Sequence, residues 1–256
     1  QQSSLTDPDA RSMAVGGRGS GVVGYNVQAA VDTEHHLIVT HDVTNVGNDR
    51  AQLARMAKKA KETLEVDELE AVADRGYFNG EEILACEEAG VAVILPKPMT
   101  SGAKAEGRFG KQDFVYLPDE DVYRCPAGQL LSYRFSNVEK SMTLRHYWST
   151  AACQACVIKA QCTTAKERRV TRWEHEHVVE RVQRRLDSRP DAMQTRRETV
   201  EHPFGTIKAR MGATHFLMKR LPNVAAEMAL HVLAYNLTRA MDILGRQGLI
   251  NALLAA

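Results

Sequence analysis

The chain has 256 residues with a formal net charge of +1, and 44% of its residues are hydrophobic and 25% charged. This length allows one main domain with an insertion, or two small domains. The composition is that of a soluble globular protein, no apolar run approaches the length that crosses a bilayer, and the polar N-terminus is unlike a signal peptide. We therefore expect a cytoplasmic protein with no membrane partner.

The near-neutral total conceals an uneven distribution of charge. Residues 166–220 carry fourteen Lys/Arg and eight Asp/Glu, a local charge of +6, whereas residues 1–165 carry seventeen and twenty-two, a local charge of −5. A basic C-terminal half can bind phosphates while the whole chain stays near neutrality. An ordinary charged helical surface has the same composition, so charge alone leaves both interpretations open.

The first hundred residues alternate between strand and helix patterns. Gly-rich residues 12–21 indicate a flexible lead-in, and the strand patterns at 22–31 and 37–43 predict an antiparallel hairpin. The patterns that follow predict a helix over 50–64 capped by Asn48 or Asp49, a strand over 69–74, a helix over 80–89 and a strand over 91–95. This order predicts an α/β fold with a mixed sheet flanked by helices.

The middle of the chain interrupts this order. It contains Gly, Pro, aromatic residues and four of the five cysteines. A helical pattern returns from His175 and ends in an apolar helix over 223–244. We therefore divide the chain into a first part (1–98), an inserted Cys-rich subdomain (99–168) and a helical C-terminal part (169–256).

Two acidic residues stand in positions suited to metal chemistry. Asp74 ends a predicted strand, at the sheet edge where open α/β folds place their sites. In Arg197-x3-Glu201-x6-Lys208 the helical period puts a carboxylate between two cations on one face. Carboxylates that converge can hold two Mg²⁺ ions for phosphodiester chemistry, and Arg and Lys can bind phosphate oxygens. A solvated ion pair worth a few tenths of a kcal/mol would have the same spacing.

These motifs resemble those of the DDE transposases of bacterial insertion sequences. The residues concerned are Val-Ala-Asp74-Arg-Gly-Tyr77 and Arg197-x3-Glu201-x6-Lys208, and the similar branch has the signature Tyr-x2-Arg-x3-Glu-x6-Lys. Tyr25-Asn26-Val27-Gln28 and Leu233-Ala234-Tyr235-Asn236-Leu237 are also similar to that branch. The resemblance covers nearly the whole chain.

The resemblance implies a ribonuclease-H-like catalytic domain that cleaves and transfers DNA strands with Mg²⁺ or Mn²⁺. It implies that Asp74 and Glu201 are the second and third metal ligands, and that Arg197 and Lys208 contact DNA phosphates. The implied partners are the terminal repeats of the element, the target DNA and a second copy of the chain in a homodimeric synaptic complex.

Three features depart from the pattern of that family. The Tyr of the signature falls at Gln194, which predicts an altered DNA contact, and Pro203 is expected to bend or restart the helix after Glu201. Only two strands are predicted before the first helix, where a ribonuclease-H-like sheet has three. We therefore expect the first catalytic Asp upstream of Gln1, in a chain truncated at its N-terminus. The in-chain alternatives, of which the first ends a strand, are Asp32, Asp7, Asp9 and Asp42.

The cysteines form a second constellation, with the spacing C-x27-C-x2-C-x5-C. In a cytosolic chain, this arrangement favours a tetrahedral Zn²⁺ site over disulfides. An iron–sulfur cluster and unligated thiols are the alternatives, and Cys86 is expected to serve in packing. The predicted zinc ligands are Cys125, Cys153, Cys156 and Cys162.

Two other functions remain open at this point. One is a catalytically inactive DNA-binding remnant, which the lack of a first Asp would favour. The other is a zinc-containing interaction module, which predicts that Asp74 and Glu201 lie far apart. A two-metal site instead requires carboxylates within roughly 5 to 8 Å of one another, because the ions lie about 4 Å apart.

Overall fold

The computed structural model describes residues 4–13, 22–98 and 102–255. The fold is mixed α/β, with two compact units. Unit 1 comprises Gln1–Lys97 and Val178–Ala256, and unit 2 comprises Pro98–His177. Most of the lead-in predicted over residues 12–21 lies outside the described residues.

The N-terminal part of unit 1 contains three two-stranded sheets among the described residues. Its elements are β1 (Arg11–Ser12), β2 (Val23–Gly24), β3 (Asn26–Val31), β4 (Ile38–Thr44), α1 (Leu53–Leu64), β5 (Leu69–Val72), α2 (Gly80–Glu88) and β6 (Val91–Ile94). The pairs β1–β2 and β3–β4 are antiparallel, whereas β5 and β6 are parallel. The antiparallel and the parallel pairing that a mixed sheet requires are therefore both present.

The prediction that only two strands precede α1 is wrong. The β1–β2 pair adds a strand before the hairpin of β3 and β4, with Arg11 opposite Gly24. A two-residue strand has too little alternation for its period to be recognised in the sequence. The argument for a first Asp upstream of Gln1 rested on that strand count and loses part of its support.

Helix α1 begins later than predicted because residues 49–52 form a separate turn, which a hydrogen bond from the Gln52 amide to the Asp49 carbonyl closes. Asn48 accepts a hydrogen bond from the Arg50 amide at 3.2 Å, and Gln52 takes the capping position without a side-chain bond. The inner face of α1 is buried at the 3.6-residue period, in a core that also contains Cys86, which is 0% exposed. The buried residues of α1 are Leu53, Ala54, Met56, Ala57 and Ala60.

Unit 2 is built on a five-stranded antiparallel sheet. Its elements are α3 (Gly102–Ala105), β7 (Val115–Leu117), β8 (Val122–Arg124), β9 (Leu130–Glu139), β10 (Met142–Trp148), α4 (Thr150–Gln154) and β11 (Val170–Trp173), with the strand order β11-β10-β9-β8-β7. The sequence predicted an insertion but not its sheet, because only Leu131 of the ten residues of β9 is buried. The small core comprises Phe114, Tyr123, Leu131, Tyr147 and Val170.

Three helices complete the chain: α5 (Glu176–Ser188), α6 (Ala192–Gly205) and α7 (Leu221–Ala255). Helix α7 packs on β4 and is interrupted at Gly245, whose φ is 69°. Helix α6 continues through Pro203 and passes into a π-helical turn, Thr206–Arg210. The expected break at Pro203 is therefore displaced to the end of the helix. No helix in the described ranges has both the length and the apolar character that a membrane crossing requires.

Candidate functional site

Asp74 lies two residues beyond β5, at the carboxyl end of the parallel pair β5–β6. It caps the short 3₁₀ turn Arg75–Tyr77, and its Oδ1 accepts a hydrogen bond from the Gly76 amide at 2.7 Å. The carboxylate is 43% exposed. The cap fixes the direction of this side chain while leaving it open to solvent, as a metal or substrate ligand requires.

Arg196 of α6 supplies the opposite charge to Asp74. Its guanidinium donates a hydrogen bond to Asp74 Oδ2 at 2.8 Å. Both side chains line an open groove of about 470 Å³ in unit 1. The other lining residues are Arg75, Gly76, Pro96, Met193 and Arg197. Three arginines around one carboxylate make this groove suited to binding a phosphate backbone.

Asp49 lies near Asp74, across Gly76. A Cβ atom built on Gly76 would be 3.0 Å from Asp74 Oδ1 and 3.5 Å from Asp49 Oδ2, so these two oxygens are within about 6.5 Å of each other. Asp49 Oδ1 accepts hydrogen bonds from Asn26 and Gln28, both at 2.7 Å. The other oxygen of Asp49, Oδ2, is therefore the one that lies nearer to Asp74.

A buried polar network links this carboxylate to the Asp74 turn. Gln28 is 2% exposed and accepts a hydrogen bond from the Tyr77 hydroxyl. Burial raises the pKa of Tyr77 well above its usual range, and the charges of Asp49 and Asp74 raise it further. The Tyr77 hydroxyl therefore stays protonated near neutral pH and donates a hydrogen bond to the Gln28 side-chain oxygen.

Glu201 lies one helical turn beyond Arg197 on α6, about 6 Å further along the axis. Its side chain is exposed, and Lys208 lies in the π-helical turn with its Nζ 5.9 Å from the Phe204 ring. In that turn the seven-residue step from Glu201 no longer follows the α-helical period. The single stripe predicted for Arg197, Glu201 and Lys208 is therefore correct only for its first two residues.

His202 anchors the end of α6 beside Glu201. Its Nδ1 lies 2.8 Å from the Tyr235 hydroxyl, which donates to the His36 carbonyl at 2.7 Å. Burial lowers the pKa of His202, and the charges of His36, Arg239 and Arg210 lower it further. The imidazole is accordingly neutral near pH 7 and serves to position the helix.

The four in-chain alternatives for the first Asp all have structural partners. Asp7 accepts from the Tyr25 hydroxyl at 2.8 Å, and Asp9 accepts from the Leu221 amide at 3.0 Å, next to the start of α7. Asp42 pairs with Arg55, and Asp32 accepts from the His35 amide in the hairpin turn at 2.6 Å. Each carboxylate thus has a local stabilising role.

The cysteines of unit 2 line one small cavity of about 20 Å³. Cys125 follows β8, Cys153 lies on α4, Cys156 follows α4, and Cys162 ends the 3₁₀ turn Lys159–Gln161. Burial raises the pKa of Cys162, and the other three thiols add to the rise while Arg168 opposes it. All four are free cysteines, so the structure brings the predicted zinc ligands together without disulfides.

Neither predicted metal site is arranged as a ligand group. In the part of the chain that the structure describes, no set of three or more His, Cys, Asp and Glu side chains is positioned to hold a metal ion. The separation of Asp74 from Glu201 therefore remains a prediction. The roles of Arg197 and Lys208 at DNA phosphates remain predictions too.

Sequence reasoning missed two residues close to Asp74, namely Arg196 and Asp49. The sequence analysis singled out Arg197 and not Arg196, although the two arginines lie four and three residues after Met193 and each is therefore a helical neighbour of it on α6. Asp49 was interpreted as a helix cap, and no local signal could have shown that its carboxylate turns towards Asn26 and Gln28. Asp49 and Asp74 are too far apart in the sequence for a helical or strand period to predict that they lie close together.

Comparison with known proteins gives one match. The family model described as a transposase DDE domain matches residues 2–237. Neither the curated proteins nor the solved structures contain a match to the chain.

Proposed function

Because the chain belongs to the transposase DDE domain family, we propose that it is the catalytic domain of an insertion-sequence transposase. It would have a ribonuclease-H-like core and act on DNA in the bacterial cytoplasm, at terminal repeats and at target sites, as a homodimer. Water would attack a backbone phosphorus and break its bond to the 3′-oxygen. The freed 3′-hydroxyl would then attack a target phosphodiester, one P–O bond forming as another breaks.

The observation that carries this proposal is the groove at Asp74. An exposed carboxylate at the end of parallel strands lies among three arginines, in a chain matched by the family along almost its whole length. Such a combination suits a reaction in which two negative groups, a carboxylate and a phosphate, must lie side by side. The order of an antiparallel pair, a helix and a parallel pair also supports a ribonuclease-H-like core.

The side chains at Asp74 supply carboxylate oxygens that a divalent cation could bind, but no ligand group is assembled among the described residues. Gly76 leaves open the space that a Cβ would fill between Asp74 Oδ1 and Asp49 Oδ2. Carboxylate oxygens are the ligands that Mg²⁺ prefers, and Mg²⁺ held here would supply activation of the attacking oxygen and stabilisation of the leaving one. Asp74 and Glu201 would hold the metals, and Asp49 is an in-chain candidate for the third carboxylate beside the Asp predicted upstream of Gln1.

The cations of α6 would have different roles. Arg196 neutralises Asp74, and its guanidinium lies in the groove where it would also bind a phosphate of the DNA strand. Arg197, on the same groove, and Lys208 would contact the DNA backbone near the scissile bond. These contacts position the strand and spread the transition-state charge, which is the main source of catalysis in phosphoryl transfer.

A second candidate is the inactive DNA-binding remnant. It is favoured by the Arg196–Asp74 ion pair together with the lack of an assembled ligand group among the described residues. In that case the basic face of α6 would bind DNA without cleaving it.

The decisive experiment is a plasmid-nicking assay with Mg²⁺ or Mn²⁺. It compares the chain with Asp74→Asn, Glu201→Ala and Asp49→Asn variants, and with Asp67→Asn as a matched control. Asp67 is exposed and precedes β5. Nicking that is lost in the first two variants and retained in the control supports the proposal.

The same assay separates the alternatives. Loss of nicking in Asp49→Asn assigns the third carboxylate to this chain, whereas activity only in a version extended upstream assigns it to the predicted upstream Asp. DNA binding without nicking in any version identifies the inactive remnant. A chain that neither binds nor cleaves DNA would contradict the proposed function and leave the zinc-containing interaction module.

A further inference from the structure

We propose that the cysteine cavity of unit 2 is a structural zinc site whose ligands are Cys125, Cys153, Cys156 and Cys162. Four separate segments bring their thiols to one cavity: the turn after β8, helix α4, the residues after α4, and the 3₁₀ turn that follows. This site is independent of the chemistry proposed for the groove in unit 1.

The size of the cavity suits a single ion. Its volume of about 20 Å³ holds roughly one water-sized particle. Zinc bound by four cysteines has Zn–S distances of about 2.3 Å and leaves no room for a further ligand.

The walls of the cavity favour a thiolate-binding metal. Apart from the cysteines, most of the lining is apolar, including Phe109, Phe114 and Leu131. Among the described residues, no carboxylate lines the cavity. A hard cation such as Mg²⁺ prefers oxygen ligands, whereas cysteine sulfur selects zinc among the common divalent ions.

Arg168 supplies the charge that such a site needs. Its backbone amide donates to Cys153 Sγ at 3.5 Å, and its guanidinium lies over the Phe114 ring at 5.3 Å. Its Nε is buried and has no hydrogen-bond partner among the described atoms. Four thiolates around Zn²⁺ carry a net charge of −2, so a fixed guanidinium beside them offsets part of it.

The fold around the cavity explains what the metal would do. Residues 149–169 contain only α4 and one 3₁₀ turn, and the apolar core of unit 2 is small. A metal bond from α4 to the turn after β8 would attach this segment to the sheet. The sulfurs line the cavity without forming a ligand group, so binding requires the cysteine side chains to turn inward to other staggered rotamers.

The test uses the full chain purified under reducing conditions, saturated with Zn²⁺ and then dialysed. Metal analysis is expected to find one zinc per chain, and Co²⁺ in place of zinc should give the absorption of a tetrahedral thiolate complex. Cys125→Ser and Cys153→Ser should lose the metal, whereas Cys86→Ala, which removes the fifth cysteine from the core of unit 1, should retain it. Circular dichroism confirms that each variant is folded.

A second measurement covers variants that fail to fold. In the unchanged chain, zinc should slow the reaction of four thiols with a thiol reagent at least tenfold, and a chelator should restore the rate. Equal rates with and without zinc would overturn the proposal. Iron with acid-labile sulfide, or a Cys153–Cys156 disulfide in the folded chain, would overturn it as well. None of these outcomes depends on nicking activity, so the two proposals fail separately.

Discussion

The groove of unit 1 and the cysteine cavity of unit 2 differ in their openness and in the charge of the residues that line them. The groove is open and charged, and its carboxylate is already neutralised by Arg196. The cavity is small and mostly apolar, and the cations that line it with the four thiols are Lys159 and Arg168. An open charged groove suits an exchangeable cation and a long substrate, whereas a closed sulfur-lined cavity suits a permanent ion.

The largest expected effect on nicking comes from removing the carboxylate of Asp74 from the groove. Asp74→Asn removes the proposed metal ligand without changing the size of the side chain. We expect metal-dependent nicking to fall by more than about 100-fold, because even a residue that only orients a metal ligand contributes up to about 100-fold. Initial rates of plasmid nicking measure the effect. Asp67→Asn is the control, and an unchanged rate in Asp74→Asn would remove Asp74 from the active site.

Gly76→Ala is expected to have the next largest effect. The added Cβ would lie 3.0 Å from Asp74 Oδ1, so the carboxylate must shift by a few tenths of an ångström. Such displacement of a catalytic group should lower nicking by about tenfold, while thermal stability changes little. Gly102→Ala is the matched control, because a Cβ added at Gly102 would meet no other atom within 4 Å. Full activity of Gly76→Ala would show that the space between the carboxylates is not used.

The two neighbouring arginines should behave differently. Arg197→Ala should weaken binding of all DNA sequences and reduce the slope of log K against log salt by about 0.9, the value for one phosphate contact. Arg196→Ala should lower the Mg²⁺ concentration for half-maximal activity by up to about tenfold, or ~1.4 kcal/mol, because it removes a competing charge from Asp74. Titrations of salt and of Mg²⁺ measure the two effects. Identical behaviour of the two variants would contradict this division of roles.

The smallest expected effect concerns pH. The pKa of His202 is lowered in the folded chain, first by burial, so the unfolded chain binds the proton more readily. The free energy of unfolding should therefore fall as pH decreases below the ordinary pKa of about 6.5. His202→Gln should flatten this dependence, because it removes the imidazole that lies against the Tyr235 hydroxyl. Denaturant unfolding at several pH values tests it, and parallel curves for chain and variant would count against a role for His202.

The sequence anticipated the elements with strong periodic patterns. The helix at α2 and the hairpin of β3 and β4 were predicted within one or two residues of their bounds, apart from the start of the first strand. Long amphipathic or alternating segments carry this information locally. The short β1 and the largely exposed β9 were missed, because neither has a clear pattern of buried positions.

The sequence by itself determined the chemistry available to this protein. The residue types and spacing at Asp74, at Glu201 and in the four cysteines predicted a carboxylate site and a thiol site. The match to the transposase DDE domain family supports the fold class and the family, and the assignment of these residues stays a prediction. Residue spacing reports which groups share a helical face or a strand end, because helix and strand periods are fixed by the backbone.

Only the tertiary structure decided which groups meet. It joined Arg196 rather than Arg197 to Asp74, turned Asp49 away from the cap of α1 and towards Asp74, and displaced Lys208 from the face of Glu201 through a π-helical turn. These contacts depend on side-chain directions and on packing between segments distant in the chain. No local period encodes them, because each arises from residues that are neighbours in space alone.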